Sequence, residues 1–536
     1  MAEPTRDDTP ESGPRGLEPE WGFFPVLDPV ALGQTLVELG LALVQQPGAT
    51  AAACSRWAEG LAAASTATAS RTLGGSAEGP VAEEANDRRF RDDAWEENPA
   101  FFAVKQSYLL WSRLMSDLVE AADLDERQAG KSQFALDLLS NALAPTNFLP
   151  TNPTALRRAF DTGGASVARG MGNLANDIAS NGGFPKQIEL SEFELGVSLA
   201  ATPGKVVYRN SLMELIQYEP STKTVYGTPL ICSPPWINKY YIMDLSPGRS
   251  FIEWAVSQGH TVFAISYANP DESHRDVTLD DYLVDGPRTA VEVVTEITGA
   301  PRVNLVGLCL GGTLTGILLA YLAAHDDKRV ESATLLNTML DFEHPGELGY
   351  FVDERTIERV EQRMAQHGFL EASDMATTFN LLRANDLIWS YVANNWLMGE
   401  KPPAFDILAW NADSTRMPAT MHSFYLRACY LENQLATGNM EIADTKLDLA
   451  AADNDVYVLA AEEDHIAPWK SSYAATQLFG GDVRFVLTSS GHIAGIVNPP
   501  DSKRRYWTND KTPAEPDDWR AGADEHPGTW WADWQA

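Results

Sequence analysis

The stretch from Val303 to Ala324, VNLVGLCLGGTLTGILLAYLAA, constrains this chain more than any other. An apolar run, Val303 to Val306, meets the tight turn Gly307-Leu308-Cys309-Leu310-Gly311-Gly312 and then continues as a strong helix former. A strand that turns sharply into a helix through small residues on either side of a central nucleophile is a nucleophile elbow. The small residues let the backbone pass, and the central side chain projects above the sheet edge. Cysteine stands here where lipases carry serine. Taken by itself, Cys309 reads equally as an inert buried thiol, because free cysteine is among the most buried residue types. The run from Leu305 to Ala324 is also about 20 residues long, enough to mimic a membrane span. Its early glycines, threonines and cysteine argue instead for a buried strand, turn and helix.

Lys+Arg 40 against Asp+Glu 74 leaves a net charge of -34, which disfavours nucleic acid or an anionic membrane as a general partner. An anionic substrate needs only a local basic patch and is not excluded. The four cysteines, Cys54, Cys232, Cys309 and Cys429, are scattered without metal-ligand spacing, so no metal site and a reduced compartment are expected. The acidic N-terminus has no charged-then-apolar secretory pattern, and cytoplasmic residence is the expectation.

Along the chain, residues 1 to about 20 read as disordered, and residues 1–185 as a helical N-terminal region. Within it, helices are expected over Asp28 to Gln46, Gln106 to Ala122, Gln133 to Ala142 and Pro153 to Ser180. Asn98-Pro99 marks a helix start, Ala51 to Arg71 is a weaker helix or a flexible segment, and Gly74 to Asn86 is a linker. Residues 186–536 read as an α/β domain. Val206 to Tyr208 and Leu212 to Tyr218 form paired strands. Buried parallel strands follow at Pro229 to Ser233, Thr261 to Tyr267, Val303 to Leu308, Ala333 to Asn337, Val456 to Ala461 and Arg484 to Thr488. The gap between the strands near Leu335 and Val456 is too long for a crossover, so a cap inserted at about 340–450 is expected. Its aromatics, among them Phe379, Trp410, Tyr425 and Tyr430, read as core, with a subset lining a channel.

An α/β-hydrolase fold orders its triad as nucleophile, acid, histidine, with the last two after late strands. Here Glu462-Glu463-Asp464-His465 and Ser489-Ser490-Gly491-His492 follow the last two apolar strands, on the edge that carries Cys309. His492 is the expected base, and the other histidines outside this arrangement read as structural. Position favours Asp464 as the third member, with Glu462 and Glu463 as rivals and His465 as a packing residue or substrate-side hydrogen bonder. A cysteine nucleophile suits thioester exchange, since attacking and leaving thiols are similarly basic. An oxyanion needs two backbone donors: Leu310, just after the nucleophile, and one near Trp236 and Ile237. Arg383, Lys239 and Arg302 are basic candidates for phosphate contact.

These motifs resemble those of the polyhydroxyalkanoate synthases. The turn fits that family's Gly-x-Cys-x-Gly-Gly box at Gly307, Cys309, Gly311 and Gly312. The loop Pro234-Pro235-Trp236-Ile237-Asn238-Lys239-Tyr240-Tyr241 fits its Pro-Pro-x-Ile-Asn-Lys-Tyr-Tyr segment. Ser266 to Asp271, Leu382 to Trp389, Phe405 to Asn411, Glu463 to Trp469 and Ser490 to Gly495 are similar in order, so the likeness runs from about Phe90 to Trp534. The resemblance implies polymerisation of (R)-3-hydroxyacyl-CoA, 3-hydroxybutyryl-CoA foremost, into polyester through a Cys309 acyl-enzyme. It also implies His492 as base, Asp464 as orienting acid or as activator of the acceptor hydroxyl, and substrate contacts from Trp236, Asn238 and His465. No cofactor is implied. A homodimer at the surface of cytoplasmic storage granules is, and the helical N-terminal region matches the single-subunit class I type. Trp236 stands where other members carry smaller residues, which narrows the site or alters chain-length preference. A thioesterase or esterase on the same fold, and a non-catalytic granule-associated protein, are the alternatives.

Overall fold

A computed structural model describes residues 29–84 and 87–536, with side chains from residue 32 onward. The expectation for residues 1 to about 20, and the end of the Gly74 to Asn86 segment, lie outside the described residues.

Ten strands form one sheet: β1 (Gly204–Arg209), β2 (Met213–Tyr218), β3 (Leu230–Ser233), β4 (Val262–Tyr267), β5 (Val303–Leu308), β6 (Val330–Leu336), β7 (Asp455–Ala461), β8 (Val483–Thr488), β9 (Arg505–Thr508) and β10 (Asp524–Pro527). Their spatial order is β1-β2-β4-β3-β5-β6-β7-β8-β9-β10. The middle from β4 to β8 is parallel, in register Ser233↔Gly307, Leu308↔Leu336 and Leu336↔Leu459, and both edges are antiparallel. Parallel strands must be covered on both faces. On β5, Val303 and Leu305 join the core on one face, and Val306 and Leu308 the core on the other. This is why the central strands are continuous apolar runs. β10 is the edge strand and β9 lies next to it; both have mixed polar composition, and no apolar run announces them.

The helix Leu310–Ala324 leaves β5 directly and is buried along nearly its whole length, so its apolar character serves the core. Among the described residues no helix is long and apolar enough to cross a membrane.

N-terminal to the sheet, helices run over Pro29–Gln45, Pro47–Thr72, Pro99–Ala121, Glu126–Ala142, Pro153–Asp161 and Ala165–Ser180. The Asn98 side chain accepts from the Ala100 and Phe101 N–H groups and Pro99 occupies the first helical position, a capped start of the kind the dipeptide signals. The single helix expected over Pro153 to Ser180 breaks at Gly163 and Gly164, both at positive φ. The alanine-rich segment is a continuous helix because it packs on Pro99–Ala121. Ala53 and Ala64 are buried, and a Cβ on Gly60 would run into Leu110. This helical region grips the segment between β6 and β7. Trp396 Nε1 donates to Asp177 Oδ2 at 2.7 Å, Asn173 Nδ2 to the Asn395 carbonyl at 2.9 Å, and Lys131 pairs with Asp353.

Between β6 and β7 lie helices Glu354–His367, Ala372–Leu382, Asp406–Ala412 and Ala419–Tyr425, together with π-helical turns at Asn385–Trp389, Val392–Leu397 and Leu426–Leu431. They cover the C-terminal edge of the parallel strands.

Candidate active site

Cys309 sits between β5 and its helix at φ 51° and ψ -118°, a strained conformation for a side-chain-bearing residue. The surroundings hold it there. Its N–H donates to the Leu336 carbonyl at 2.8 Å, and its own carbonyl accepts from Gly312 and Thr313 at 2.9 and 3.0 Å. Close approach dictates the neighbouring glycines. A Cβ on Gly307 would lie 2.5 Å from Gly312 Cα, and one on Gly311 would lie 2.5 Å from the Pro234 carbonyl oxygen and closer still to that of Ser233.

His492 opens a short helix after β8, and Asp464 lies in the turn after β7. Both are buried, and His492 Nδ1–H donates to Asp464 Oδ2 at 2.6 Å. The other carboxylate oxygen, Oδ1, accepts from the Ile466 and Ala467 N–H groups at 2.9 Å each. With Nδ1 committed to the acid, Nε2 is left for Cys309, which lines the same cavity and lies close enough to act on the ring's charge. Burial disfavours the imidazolium, but the Asp464 carboxylate and the Cys309 sulfur outweigh it and hold the His492 pKa well above the ordinary imidazole value. Of the three acids in the turn, Asp464 is the one that meets His492. Glu462 instead pairs with Arg520 at 3.3 Å, and Glu463 is exposed at the rim.

Leu310 is the first residue of its helix, where an N–H has no intrahelical partner. Ile237, in the loop after β3, likewise donates its N–H to no other group among the described residues. Both residues line the same cavity as Cys309, and neither backbone N–H is taken up by another group among the described residues.

That cavity has a volume of about 490 Å³ and a mostly apolar wall contributed by the cap. Asn238 and His465 line it. His465 has a buried Nδ1 without a partner, and burial together with the Arg383 charge pushes its pKa down to about 4, so its ring is neutral at physiological pH. Trp236 departs from the expectation. It is 1% exposed and is not part of the cavity wall; its ring packs behind the wall, edge-on to Tyr425 at 5.6 Å and tilted against Tyr282 at 6.0 Å. The loop turns its side chain into the core while Pro235, Ile237 and Asn238 face the cavity, so its size bears on the support of Tyr425 and not on a substrate contact. Among the basic candidates, Arg383 lines the cavity and pairs with Asp386 at 2.9 Å. Lys239 is not on the wall, and Arg302 sits at the far end of β5, paired with Glu331.

Three supports escaped the sequence reading. Asn337, just past β6 at φ 45°, donates its side-chain N–H to the His492 carbonyl and its backbone N–H to Leu459 at 2.8 Å. Trp530 and Trp531 donate their indole N–H groups to the Gly495 and Ile496 carbonyls at 3.0 and 3.1 Å, pinning the helix that begins with His492. A polar residue at the end of an apolar strand was the one available signal for Asn337. Nothing in the local sequence pairs the tryptophans with residues more than thirty positions away.

A parallel sheet with a nucleophile elbow, an acid after β7 and a histidine after β8 defines an α/β-hydrolase-fold protein with a cysteine nucleophile position. A model described as "alpha/beta hydrolase fold" matches residues 244–499, and one described as "Poly-beta-hydroxybutyrate polymerase (PhaC) N-terminus" matches residues 86–255. The chain is 47% identical to a poly(3-hydroxyalkanoate) polymerase of Methylorubrum extorquens, across 94% of this chain and 84% of that one. It is 46% identical to the poly(3-hydroxyalkanoate) polymerase subunit PhaC of Rhizobium meliloti, across 87% and 77% of the two chains. It is 42% identical to the corresponding subunit of Cupriavidus necator, across 84% and 77%. The chain belongs to the poly(3-hydroxyalkanoate) polymerase family.

Proposed function

We propose that this protein polymerises (R)-3-hydroxyacyl-CoA, with 3-hydroxybutyryl-CoA as its first substrate, into a polyester through an acyl group carried on Cys309. The observation that carries the reading is the Cys309–His492–Asp464 constellation at the elbow, in a chain that belongs to this family.

In acylation, Cys309 attacks the thioester carbonyl carbon of the substrate. A new C–S bond forms, the oxyanion is met by the Leu310 and Ile237 N–H groups, and CoA leaves as its thiol with the proton handled by His492. In elongation, a 3-hydroxyl attacks the Cys309 thioester. An ester C–O bond forms, the C–S bond breaks, and the hydroxyl proton passes through His492 to the departing Cys309 sulfur. Asp464 serves to orient His492 and stabilise its charged form, because its two oxygens are engaged by the ring and by two backbone N–H groups. Arg383 at the cavity supplies a positive charge for the phosphates of CoA. The reading extends to a homodimer working at the surface of a polyester granule in the cytoplasm, checked by light scattering and by co-sedimentation with the polymer.

The test is purified protein with (R)-3-hydroxybutyryl-CoA, following free thiol and insoluble polyester together, with Cys309→Ala as control. Thiol release with polymer, both lost in the variant, is the expected result. Thiol release with only soluble hydroxyacid makes the protein a thioesterase. Failure of Cys309 to take up any acyl label, from short or long substrates, makes it a non-catalytic member of the fold.

A further inference from the structure

Elongation requires a hydroxyl to be held against the Cys309 thioester, and the Cys309–His492–Asp464 triad leaves that task unassigned. Cys309 carries the acyl group, His492 moves the proton, and both oxygens of Asp464 are occupied. The remaining wall is mainly apolar, contributed by residues such as Met339, Phe342, Ile357 and Val360.

Two phenols of the cap are among the polar groups in that wall, with Thr378, Asn411 and His422. Tyr425 closes the helix Ala419–Tyr425 and Tyr430 lies in the π-helical turn Leu426–Leu431; both line the cavity and are about 5% and 6% exposed. Five residues along an ordinary α-helix rotate a side chain by roughly 140° from its starting direction, which would turn the second phenol away from the first. The wider π turn brings positions five apart back onto one face. The rings meet edge to face with centroids 5.6 Å apart at 90°, which places the two phenols side by side in the cavity wall. Both phenols lie near enough to Cys309 for its charge to disfavour their ionisation, which burial opposes more strongly still. They therefore stay protonated donors. Phe342 contacts both rings at 6.3 and 5.0 Å, and Trp236 backs Tyr425, so the pair is held in place from behind.

We propose that the Tyr425–Tyr430 hydroxyl pair binds the 3-oxygen of the hydroxyacyl group, placing the acceptor hydroxyl at the Cys309 thioester and selecting hydroxyacyl over plain acyl groups at the elongation step. This rests on the polymerase reading above. A site built to bond a hydroxyl leaves its own polar groups unpaired when a substrate lacks one, which is where discrimination against the plain acyl group arises. Acylation of Cys309 makes no demand on the pair, and transfer to the hydroxyl does.

The experiment separates those two steps in the full-length protein. Cys309 is first acylated with butyryl-CoA, which has no hydroxyl, and thiol release is read in a single turnover. The butyryl-enzyme is then chased with (R)-3-hydroxybutyryl-CoA, and transfer of the butyryl group to the new hydroxyl is followed. Tyr430→Phe and Tyr425→Phe keep ring volume and remove only the hydroxyl. Each is expected to slow the chase by roughly 10-fold, the worth of one buried hydrogen bond, and to change butyryl uptake by less than about 2-fold. Equal slowing of both steps, or an unslowed chase in both variants, overturns the proposal. Wild-type protein that fails to take up butyryl or hydroxybutyryl groups at all overturns the polymerase reading instead.

Discussion

Gly311→Ala tests whether the elbow and the oxyanion loop are one rigid unit. Gly311 has ordinary backbone geometry, so alanine brings no strain of its own; the cost lies in what the new methyl meets. It would sit 2.5 Å from the Pro234 carbonyl oxygen and 2.7 Å from that residue's carbonyl carbon, with the Ser233 oxygen nearer still. Ordinary carbon contacts begin at about 3.5 Å, so roughly 1 Å of separation has to be found. The obstructing atoms are backbone at the end of β3, where Ser233 is paired in register with Gly307, and no rotamer change removes them. The displacement therefore runs into Pro234 to Ile237, the loop that carries Ile237, the proposed second oxyanion donor. Overpacking of this kind costs about 1–3 kcal/mol of stability. A misplacement of about 1 Å at a reacting centre costs on the order of 100-fold in rate. Steady-state thiol release should show kcat lower by about that factor with KM little changed, and thermal unfolding should show a folded protein of reduced Tm. A folded variant with kcat within about 3-fold of wild type would refute the reasoning, because the loop would then move without carrying the donor. Gly312→Ala makes the contrast. Its methyl meets the Thr338 side chain, on the far side from the Pro234 to Ile237 loop, so a smaller loss of kcat is expected.

Asp464→Asn removes the charged acceptor of the His492 ring; loss of one charge-assisted buried bond, about 1.5–3 kcal/mol, lowers kcat by about 10- to 150-fold. The same variant has a pH signature. The folded-state pKa of His492 is raised, so its ion pair contributes stability that is fully present below about pH 6.5 and lost as pH climbs through the raised value. The Tm gap between wild type and Asp464→Asn is therefore widest near pH 6 and narrows in alkali. His422 has the opposite sign. Burial pushes its pKa down to about 4, so the unfolded chain binds its proton first, and stability falls by about 3 kcal/mol as pH drops from 6.5 to 4. Urea unfolding of His422→Leu should show a flatter profile across that window, and an unchanged slope would remove His422 as its cause.

The parallel strands were legible because burial on both faces makes each a continuous apolar run, and the elbow because its small residues cluster around one cysteine. β9 and β10 were not, since these strands at the antiparallel end of the sheet are largely exposed and need no such pattern. The helix Pro47–Thr72 looked weak because its packing uses alanines and Gly60 at close range, a property of its partner as much as of itself. At the site, chain order pointed to Asp464 and His492, but it left Glu462 and Glu463 as rivals until distances separated them. Trp236 shows the limit of a motif. Neighbouring loop residues face opposite ways, and nothing in the string says which of them looks into the cavity. Asn337, Trp530 and Trp531 act across separations of 155, 35 and 35 residues, where no local signal reaches.

The division of labour in this molecule follows from which part of the fold can hold an atom still. Cys309, Leu310, Asp464 and His492 stand at the ends of β5, β7 and β8, and their backbones are fixed by sheet pairing and by the Asn337 and tryptophan contacts. Groups placed there serve steps common to every acyl transfer, so substitutions there should slow acylation and elongation alike. Tyr425 and Tyr430 line the same cavity from the cap, on helical turns that take no part in the sheet's strand pairing. A cap group can therefore be tuned to the acceptor while the triad stays constant. If that is how the work is divided, Asp464→Asn leaves the ratio of the two rates near its wild-type value and Tyr430→Phe changes it. A ratio that moves equally in both variants would mean that the cap and the sheet edge act as one site.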